Sequence, residues 1–505
     1  HGSVCLSSPS TSLDPALDED CLFLDVYAPT NCSAPLPVFV WFPGGGFNSL
    51  SGPDTSASPL IAAGDFGFVV VTINYRVGPW GFLASREVQQ NGDLNAGLLD
   101  QRQALHWVQE HIHHFGGDRN HVTIGGASAG AASVDLHLSA YGGREDGLFH
   151  AAAAESQSFG AQLTVAESQY QYDALVTRVG CANAPDTLHC LRSTDMRTLA
   201  SNNPNIPTPG SAGGVPVFMW SNVIDGTFTP DYTYALFAAG KFVRVPVIFG
   251  DDTNEGTIFT PKNISSYPSM NSFLLNNFVR LTPAQLATID ALATYDRARV
   301  PSWNYHWDYL TAAGNQSGLG VQHTAEFGSI WGEADHPLSA VIAGYWASFI
   351  RSKDPNTFKL DSAPTWDTFG GAMRRVHFPG GGSPVAMESV PDDQRERYND
   401  VHLFCTDREN LGISPLASLS NQPDPQCLIL MIPAHTHKDD PNPIQTITTI
   451  TKPPARNPRQ QHQRVHTIVL VHRAANQVRL KSKILTALQP RASAFTPFDK
   501  PAPAQ

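Results

Sequence analysis

Short apolar runs rich in β-branched and aromatic residues punctuate the first 130 positions of the chain. Pro37-Val38-Phe39-Val40-Trp41-Phe42 ends at Pro43-Gly44-Gly45-Gly46, and Phe68 to Ile73 ends at the turn Asn74-Tyr75-Arg76. His121-Val122-Thr123-Ile124 is a third run. Runs without polar alternation suit strands covered on both faces, as in a parallel sheet. Before the third run, Leu98, Ala104, Leu105, Val108 and Ile112 fall on one helical face, and Gly116-Gly117 stops the pattern. Ala131 to Ala140 predicts a second helix; Ala151 to Glu155 and Val245 to Phe249 predict further strands. Strand alternating with helix predicts an α/β fold, a mostly parallel twisted sheet with helices on both faces.

From about 401 this pattern dissolves. Asn421-Gln422-Pro423-Asp424-Pro425 and Lys452-Pro453-Pro454-Ala455-Arg456 are Pro-rich and polar, and the apolar patch Thr467 to Val471 stands without partners of its own type. The division expected is therefore an α/β body over 1–400 and a largely disordered tail over 401–505. Charge follows the same boundary. The 505 residues carry a formal net charge of −12; with 12 Lys/Arg and 6 Asp/Glu, the tail is +6 and the body −18. An acidic body argues against nucleic-acid binding, and the basic Pro-rich tail reads as a solvated segment ahead of an anion- or nucleic-acid-binding one. No stretch approaches the roughly 18 apolar residues of a transmembrane helix.

The seven cysteines contain no CxxC pair, which removes zinc ribbons and thioredoxin-like sites. Two local pairs stand out, Cys5 with Cys21 and Cys181 with Cys190, each able to close a short loop. Asn31, Asn263 and Asn315 head N-x-S/T glycosylation sequons. Paired cysteines beside sequons point to an oxidising, extracellular compartment. The chain opens at His1 without a signal-peptide pattern, which a removed leader or a missing parental N-terminus explains.

The chemistry centres on Gly126-Ala127-Ser128-Ala129-Gly130, which lies between the third strand and the second helix. Flanking glycines permit the strained strand-to-helix turn that exposes a nucleophilic serine. A serine hydroxyl needs a general base, a group to orient that base, and N–H donors aimed at the developing oxyanion. Gly45 and Gly46, at the end of another strand, and the amide of Ala129 are the candidate oxyanion donors. A phosphate cradle is excluded, because no Gly-Lys-Ser/Thr follows the glycines. The triple glycine at 380–382 lacks such a context and reads as a plain turn. Phe47, Trp80, Phe218 and Trp220 are candidates for an acyl or alcohol pocket, with simple core as the alternative for each. His111 and His114 share a helix face, but neither they nor His113 find a third ligand, so no metal site is expected.

Beyond these motifs, Glu19-Asp20-Cys21-Leu22-Phe23-Leu24-Asp25-Val26, Asn74-Tyr75-Arg76-Val77-Gly78, Asp93-Leu94-Asn95-Ala96-Gly97-Leu98-Leu99-Asp100-Gln101 and Phe115-Gly116-Gly117-Asp118 complete a set. Together the chain resembles the type B carboxylesterases of the cholinesterase and fungal lipase family, over most of residues 15 to 400. The resemblance implies an α/β-hydrolase fold. It also implies a triad of Ser128, Glu255 in Asp252-Thr253-Asn254-Glu255-Gly256-Thr257, and His323 in Gly320-Val321-Gln322-His323-Thr324-Ala325-Glu326. Nothing in composition or spacing alone selects Glu255 or His323. By the same resemblance the Ser156 hydroxyl supports the acid, and the disulfides are Cys5–Cys21 and Cys181–Cys190. Gln157 stands where the family usually has Gly, and Pro43 where it has an aromatic residue or His.

The resemblance has three breaks. The family's N-terminal strands are absent before Cys5, a helical segment is shortened between Glu255 and His323, and the match ends near Arg397. Missing strands predict an uncovered apolar sheet edge. The function implied is hydrolysis of a small-molecule carboxylic ester through an acyl-enzyme, with no cofactor and in a secreted setting. The short Cys5–Cys21 segment favours modest-sized soluble esters over a lid-gated lipase. The competing readings are a catalytically silent cholinesterase-like binding protein and an inactive truncated gene product. Oligomeric state is not encoded in any of these features.

Overall fold

The structure is a computed structural model that describes residues 2–8, 16–30, 34–49, 56–157, 160–264, 266–283, 285–286, 302–334, 336–369 and 373–391, and the backbone of 465–473 and 477–480. Its main sheet is built from β1 (Phe23–Pro29), β2 (Leu36–Phe42), β3 (Val69–Ile73), β4 (Gly117–Ala127) and β5 (Ala151–Glu155). A two-stranded side sheet pairs β6 (Leu163–Thr164) with β7 (Val223–Ile224). The main sheet continues with β8 (Val247–Asp252), β9 (Ser302–Asp308), β10 (Arg374–Pro379), β11 (Ala386–Ser389), β12 (Val465–Arg473) and β13 (Gln477–Leu480). The order across it is β11-β10-β9-β8-β5-β4-β2-β3-β1-β12-β13. The pairs from β3 through β2, β4, β5, β8 and β9 to β10 are parallel, while β1, β11, β12 and β13 pair antiparallel.

Alternation along the strands explains the unbroken apolar runs. In β2, Phe39 and Trp41 point into one core, with Trp331, Trp346 and Phe349 from the helix side. Val38, Val40 and Phe42 point into the other, against Leu105, Val108, Ala131 and Val134. The first core is closed by the helices Ser58–Ala63 and Ser339–Ser352, the second by Ala96–His111 and Ala129–Gly143. Each fully buried side chain of this size stabilises the fold by about 1.5–3 kcal/mol, so both strand faces must be apolar. Leu98, Leu105, Val108 and Ile112 are buried as their spacing predicts. The last turn of that pattern is a 3₁₀ helix, Ile112–Phe115, ended by Gly116 at φ 78°. The helix after Ser128 keeps regular geometry only to its kink at Ala140–Gly142.

The patch Thr467 to Val471 does have a partner. It lies in β12, which runs antiparallel along β1 from Phe23↔Val471 to Pro29↔Val465. An uncovered sheet edge is expected from the missing strands; the outer edge of β1 is instead paired. A strand edge offers a row of free N–H and C=O groups, and a β-branched segment of matching length satisfies them. The remainder of the tail, the segment 287–301 before β9, and Asn31 lie outside the described residues.

Both disulfides form, Cys5–Cys21 and Cys181–Cys190, with Cα–Cα separations of 4.9 and 5.7 Å. Cys5 and Cys21 are buried in a third core with Phe47, Tyr75, Phe82 and Trp220. Among the described residues no helix is long and apolar enough to cross a membrane.

Candidate active site

β4, β5 and β8 lie side by side and parallel, with Ala127 beside Glu155 and Glu155 beside Gly250. Their C-terminal ends therefore deliver Ser128, Ser156 and the 252–257 loop to one edge of the sheet, the edge where ligands bind in open α/β folds.

Ser128 follows β4 directly, with φ 57° and ψ −123°, a conformation that a side-chain-bearing residue rarely holds. The turn is fixed from three sides. Ser128 N–H donates to the Glu155 carbonyl at 3.0 Å, and its own carbonyl accepts from Ala132 N–H at 2.9 Å. A Cβ on Gly126 would lie 2.4 Å from the Gly130 carbonyl group, and one on Gly130 would lie 1.9 Å from the Phe42 carbonyl oxygen. The two glycines are thus required by close backbone approach as well as by the turn.

The triple-glycine loop lies against this turn. A Cβ on Gly44 would come 3.0 Å from the Ser128 Cβ, and Gly45 and Gly46 both hold positive φ, 117° and 61°. Asn48 pins the loop from behind: its amide donates to the Gly46 and Trp220 carbonyls, and its oxygen accepts from Trp220 N–H. The N–H groups of Gly45, Gly46 and Ala129 donate to no acceptor among the described residues. The surrounding motifs hold the loop in place. Tyr75 donates its hydroxyl to the Pro43 carbonyl at 3.0 Å, and Arg76 grips Asp100 with two bonds of 2.7 and 2.6 Å.

Glu255 opens a 3₁₀ turn, Glu255–Ile258, just after β8. Its Oε2 is hydrogen-bonded to His323 Nδ1, and its Oε1 accepts from Asp252 N–H at 2.9 Å. His323 is 6% exposed, and its Nε2 is buried with no hydrogen-bond partner. The ring is packed edge-on against Phe259, whose ring in turn meets Phe218. Phe218 also covers Gly46, where an added Cβ would fall 2.2 Å from its ring. This aromatic relay joins the imidazole to the glycine loop. Ser128 Oγ makes no hydrogen bond among the described residues, and such contacts are often loose before substrate arrives. Of the other aromatic candidates, Phe47 and Trp220 are core, and Trp80 donates to Glu19.

Ser156 holds φ 49° and sits between acid and base loops: its hydroxyl donates to Asp252 Oδ2 and accepts from Thr324 N–H, both at 3.2 Å. Asp252, Glu326 and Tyr305 were not singled out by sequence reasoning, yet they pack directly beneath the pair. Burial, with like charge from neighbouring carboxylates, pushes Asp252 well above the usual carboxylate range. Burial likewise raises Glu155 and Glu326. The only sequence signal was that two acidic residues, Asp252 and Glu326, each stand three positions from a candidate triad member.

One group of described residues converges as metal ligands do, His306, His377 and Glu388, on β9, β10 and β11. Arg375 already supplies a cation there: its Nε donates to Glu388 Oε1 at 2.6 Å and its Nη2 meets His306 Nδ1 at 3.3 Å. A divalent ion would have to displace it, so the donor set does not fit a resident metal. Among the described residues, His111, His113 and His114 do not converge with a third ligand type. The sequon residues Asn263 and Asn315 are exposed.

The fold and the sequence both have relatives among known proteins. The crystal structure of Aspergillus niger EstA superimposes with a TM-score of 0.74 at 35% identity, covering 80% of this chain and 88% of that one. The shared architecture is the α/β-hydrolase fold. Lipase 2 of Diutina rugosa is 36% identical over 55% of this chain and 53% of its own length. Secreted lipase 1 of Botryotinia fuckeliana is 30% identical over 70% of this chain and 71% of its own. The chain spans about half the length of several yeast lipases that it matches. Residues 1–288 match the family model described as the carboxylesterase family, and the chain belongs to that family.

Proposed function

We propose that the protein is a secreted serine hydrolase that cleaves carboxylic esters through an acyl-enzyme. The observation that carries this reading is the hydrogen bond from His323 Nδ1 to Glu255, which leaves Nε2 unpartnered at the sheet edge that also holds the strained Ser128. In that arrangement Glu255 fixes the tautomer with its proton on Nδ1, so Nε2 accepts the Ser128 proton as Oγ attacks the ester carbonyl. The oxyanion that forms is met by the free N–H groups of Gly45, Gly46 and Ala129. Each such donor contributes on the order of 10²–10³ in kcat when held in place beforehand. His323 then returns the proton to the leaving alcohol, and water activated by the same imidazole releases the acid.

Secretion is supported by the two disulfides, the exposed sequons Asn263 and Asn315, and relatives named as secreted lipases. The tight Cys5–Cys21 loop favours modest-sized soluble esters over aggregated lipid. A panel of p-nitrophenyl esters graded by acyl length tests both statements. The expected result is hydrolysis of acetate and butyrate, greatest at short chain length and removed by Ser128→Ala. Full activity of Ser128→Ala would end the proposal. A rise in rate only above the solubility limit of long-chain esters would replace esterase by lipase.

A further inference from the structure

Four carboxyl groups crowd the space under His323: Glu155 at the end of β5, Asp252 at the end of β8, Glu255 beyond it, and Glu326 three residues after the histidine. Among the described residues no Lys or Arg side chain pairs with Glu155, Asp252 or Glu326. Four oxygens there are buried without a hydrogen-bond donor, both of Glu155 together with Asp252 Oδ1 and Glu326 Oε2, and the Asp252 and Glu326 side chains are within hydrogen-bond reach of each other. Every other oxygen of the pair is engaged. Asp252 Oδ2 accepts from Ser156 Oγ at 3.2 Å and Ala325 N–H at 2.9 Å, and Glu326 Oε1 accepts from the Tyr305 hydroxyl at 2.7 Å.

Two facing ionised carboxylates repel strongly in a buried site, on top of the cost of desolvating each. One proton removes the repulsion and gives both orphaned oxygens of the pair a bond. From this geometry we propose that Asp252 is a positioning residue that shares a single proton with Glu326, Oδ1–H donating to Oε2, and thereby locks His323 onto Glu255. The mechanical link is short. The Asp252 backbone N–H holds Glu255 Oε1, while its carboxyl holds Ala325 N–H and, through Ser156, Thr324 N–H. One residue thus grips the loop of the acid and the loop of the base. It also stabilises the left-handed conformations of Thr324 (φ 59°) and Ser156 (φ 49°), which would otherwise relax. The groups facing the pair are Glu155 from β5 and Ser156 just after it, Tyr305 from β9, Glu255 and His323, with Asp251 of β8 also within reach of the Glu326 charge. Burial and the Glu326 charge push Glu155 up as well.

The inference rests on the hydrolase reading for its effect on rate, but not for the proton itself. Asp252→Asn replaces the O–H donor by an amide donor of the same shape, and Asp252→Ala removes it. On soluble protein with a cooperative melt, the Asn variant keeps kcat near wild type. The Ala variant loses roughly 100-fold in kcat at unchanged KM, the scale of a small misplacement of the base. Wild-type activity falls at alkaline pH as the shared proton leaves, and the Asn variant, with no such proton, holds its activity there. Infrared difference spectra of wild type against Asn show a protonated-carboxyl band lost in the variant. An Asn variant as inactive as Ala, an alkaline limb the same in both, or no such band overturns the proposal; if Ala does not fold, the Asn comparison decides alone. If the wild type cleaves no ester, the hydrolase reading fails and the infrared band still tests the proton.

Discussion

The two halves of the candidate site are held by different physics. The nucleophile half, β2 to the start of the helix after Ser128, is fixed chiefly by backbone contact: Gly126, Gly130 and Gly44 each leave space for no further atom, and the titratable hydroxyl on its glycine loop, Tyr75 on the Pro43 carbonyl, is pushed up by burial, away from the neutral range. The base half, from Asp252 to Glu326, is fixed by hydrogen bonds among buried ionisable groups; its close glycine contacts, Gly314 on the Gly320 carbonyl and Gly320 on Asn254, lie in the loop leading to His323 and not at the acid or the base. The first half should therefore be intolerant of volume and indifferent to pH. The second should tolerate isosteric exchange only where the protons still balance.

Substitutions can break that contrast or sharpen it. Glu255→Gln changes charge without volume and turns the tautomer of His323; kcat is expected to fall by roughly 10⁴-fold with an unchanged melting curve, from the scale of orienting carboxylates in triads. Gly130→Ala adds one uncharged methyl 1.9 Å from the Phe42 carbonyl oxygen. It is expected to cost about 1–3 kcal/mol in a denaturant melt and to lower activity by the same factor at every pH. An effect of Gly130→Ala that varied with pH, or a loss of stability in Glu255→Gln, would show the two halves to be one.

The smallest effect lies outside the site. Burial works to raise Glu388, but hydrogen bonds and charge from His306 and Arg375 outweigh it and bring the carboxyl down to about 2. A depressed carboxyl contributes stability above its unfolded pKa of 4.5 that is lost as pH falls towards 2. Glu388→Gln should lessen the acid slope of stability across that window and leave neutral kcat unchanged.

The same contrast decides what was legible in the sequence. The nucleophile half is contiguous: an apolar run, a Gly-flanked serine and a small-residue helix stand together over 121–140, and their local pattern carries the geometry. The core strands β2 to β5 were legible for the same reason, since both faces are apolar. β1 shows only as part of a motif, and β9 to β11, which are short or carry the polar side chains of His306, Arg375 and Glu388, give no clean apolar run. Glu255 and His323, 68 positions apart, are joined by a hydrogen bond that no local periodicity encodes, and only the family resemblance pointed to them. Asp252 and Glu326 had not even that, because a buried carboxyl is written in the sequence like any exposed one.

The central claim is that Ser128 is an activated nucleophile, and covalent capture by a fluorophosphonate tests it most directly. Digestion and mass spectrometry of the labelled, folded protein should find one adduct, on the peptide that carries Ser128, lost in Ser128→Ala and strongly slowed in His323→Ala. An unlabelled Ser128 in folded protein, or an adduct on Ser133 or Ser156 instead, would contradict the account.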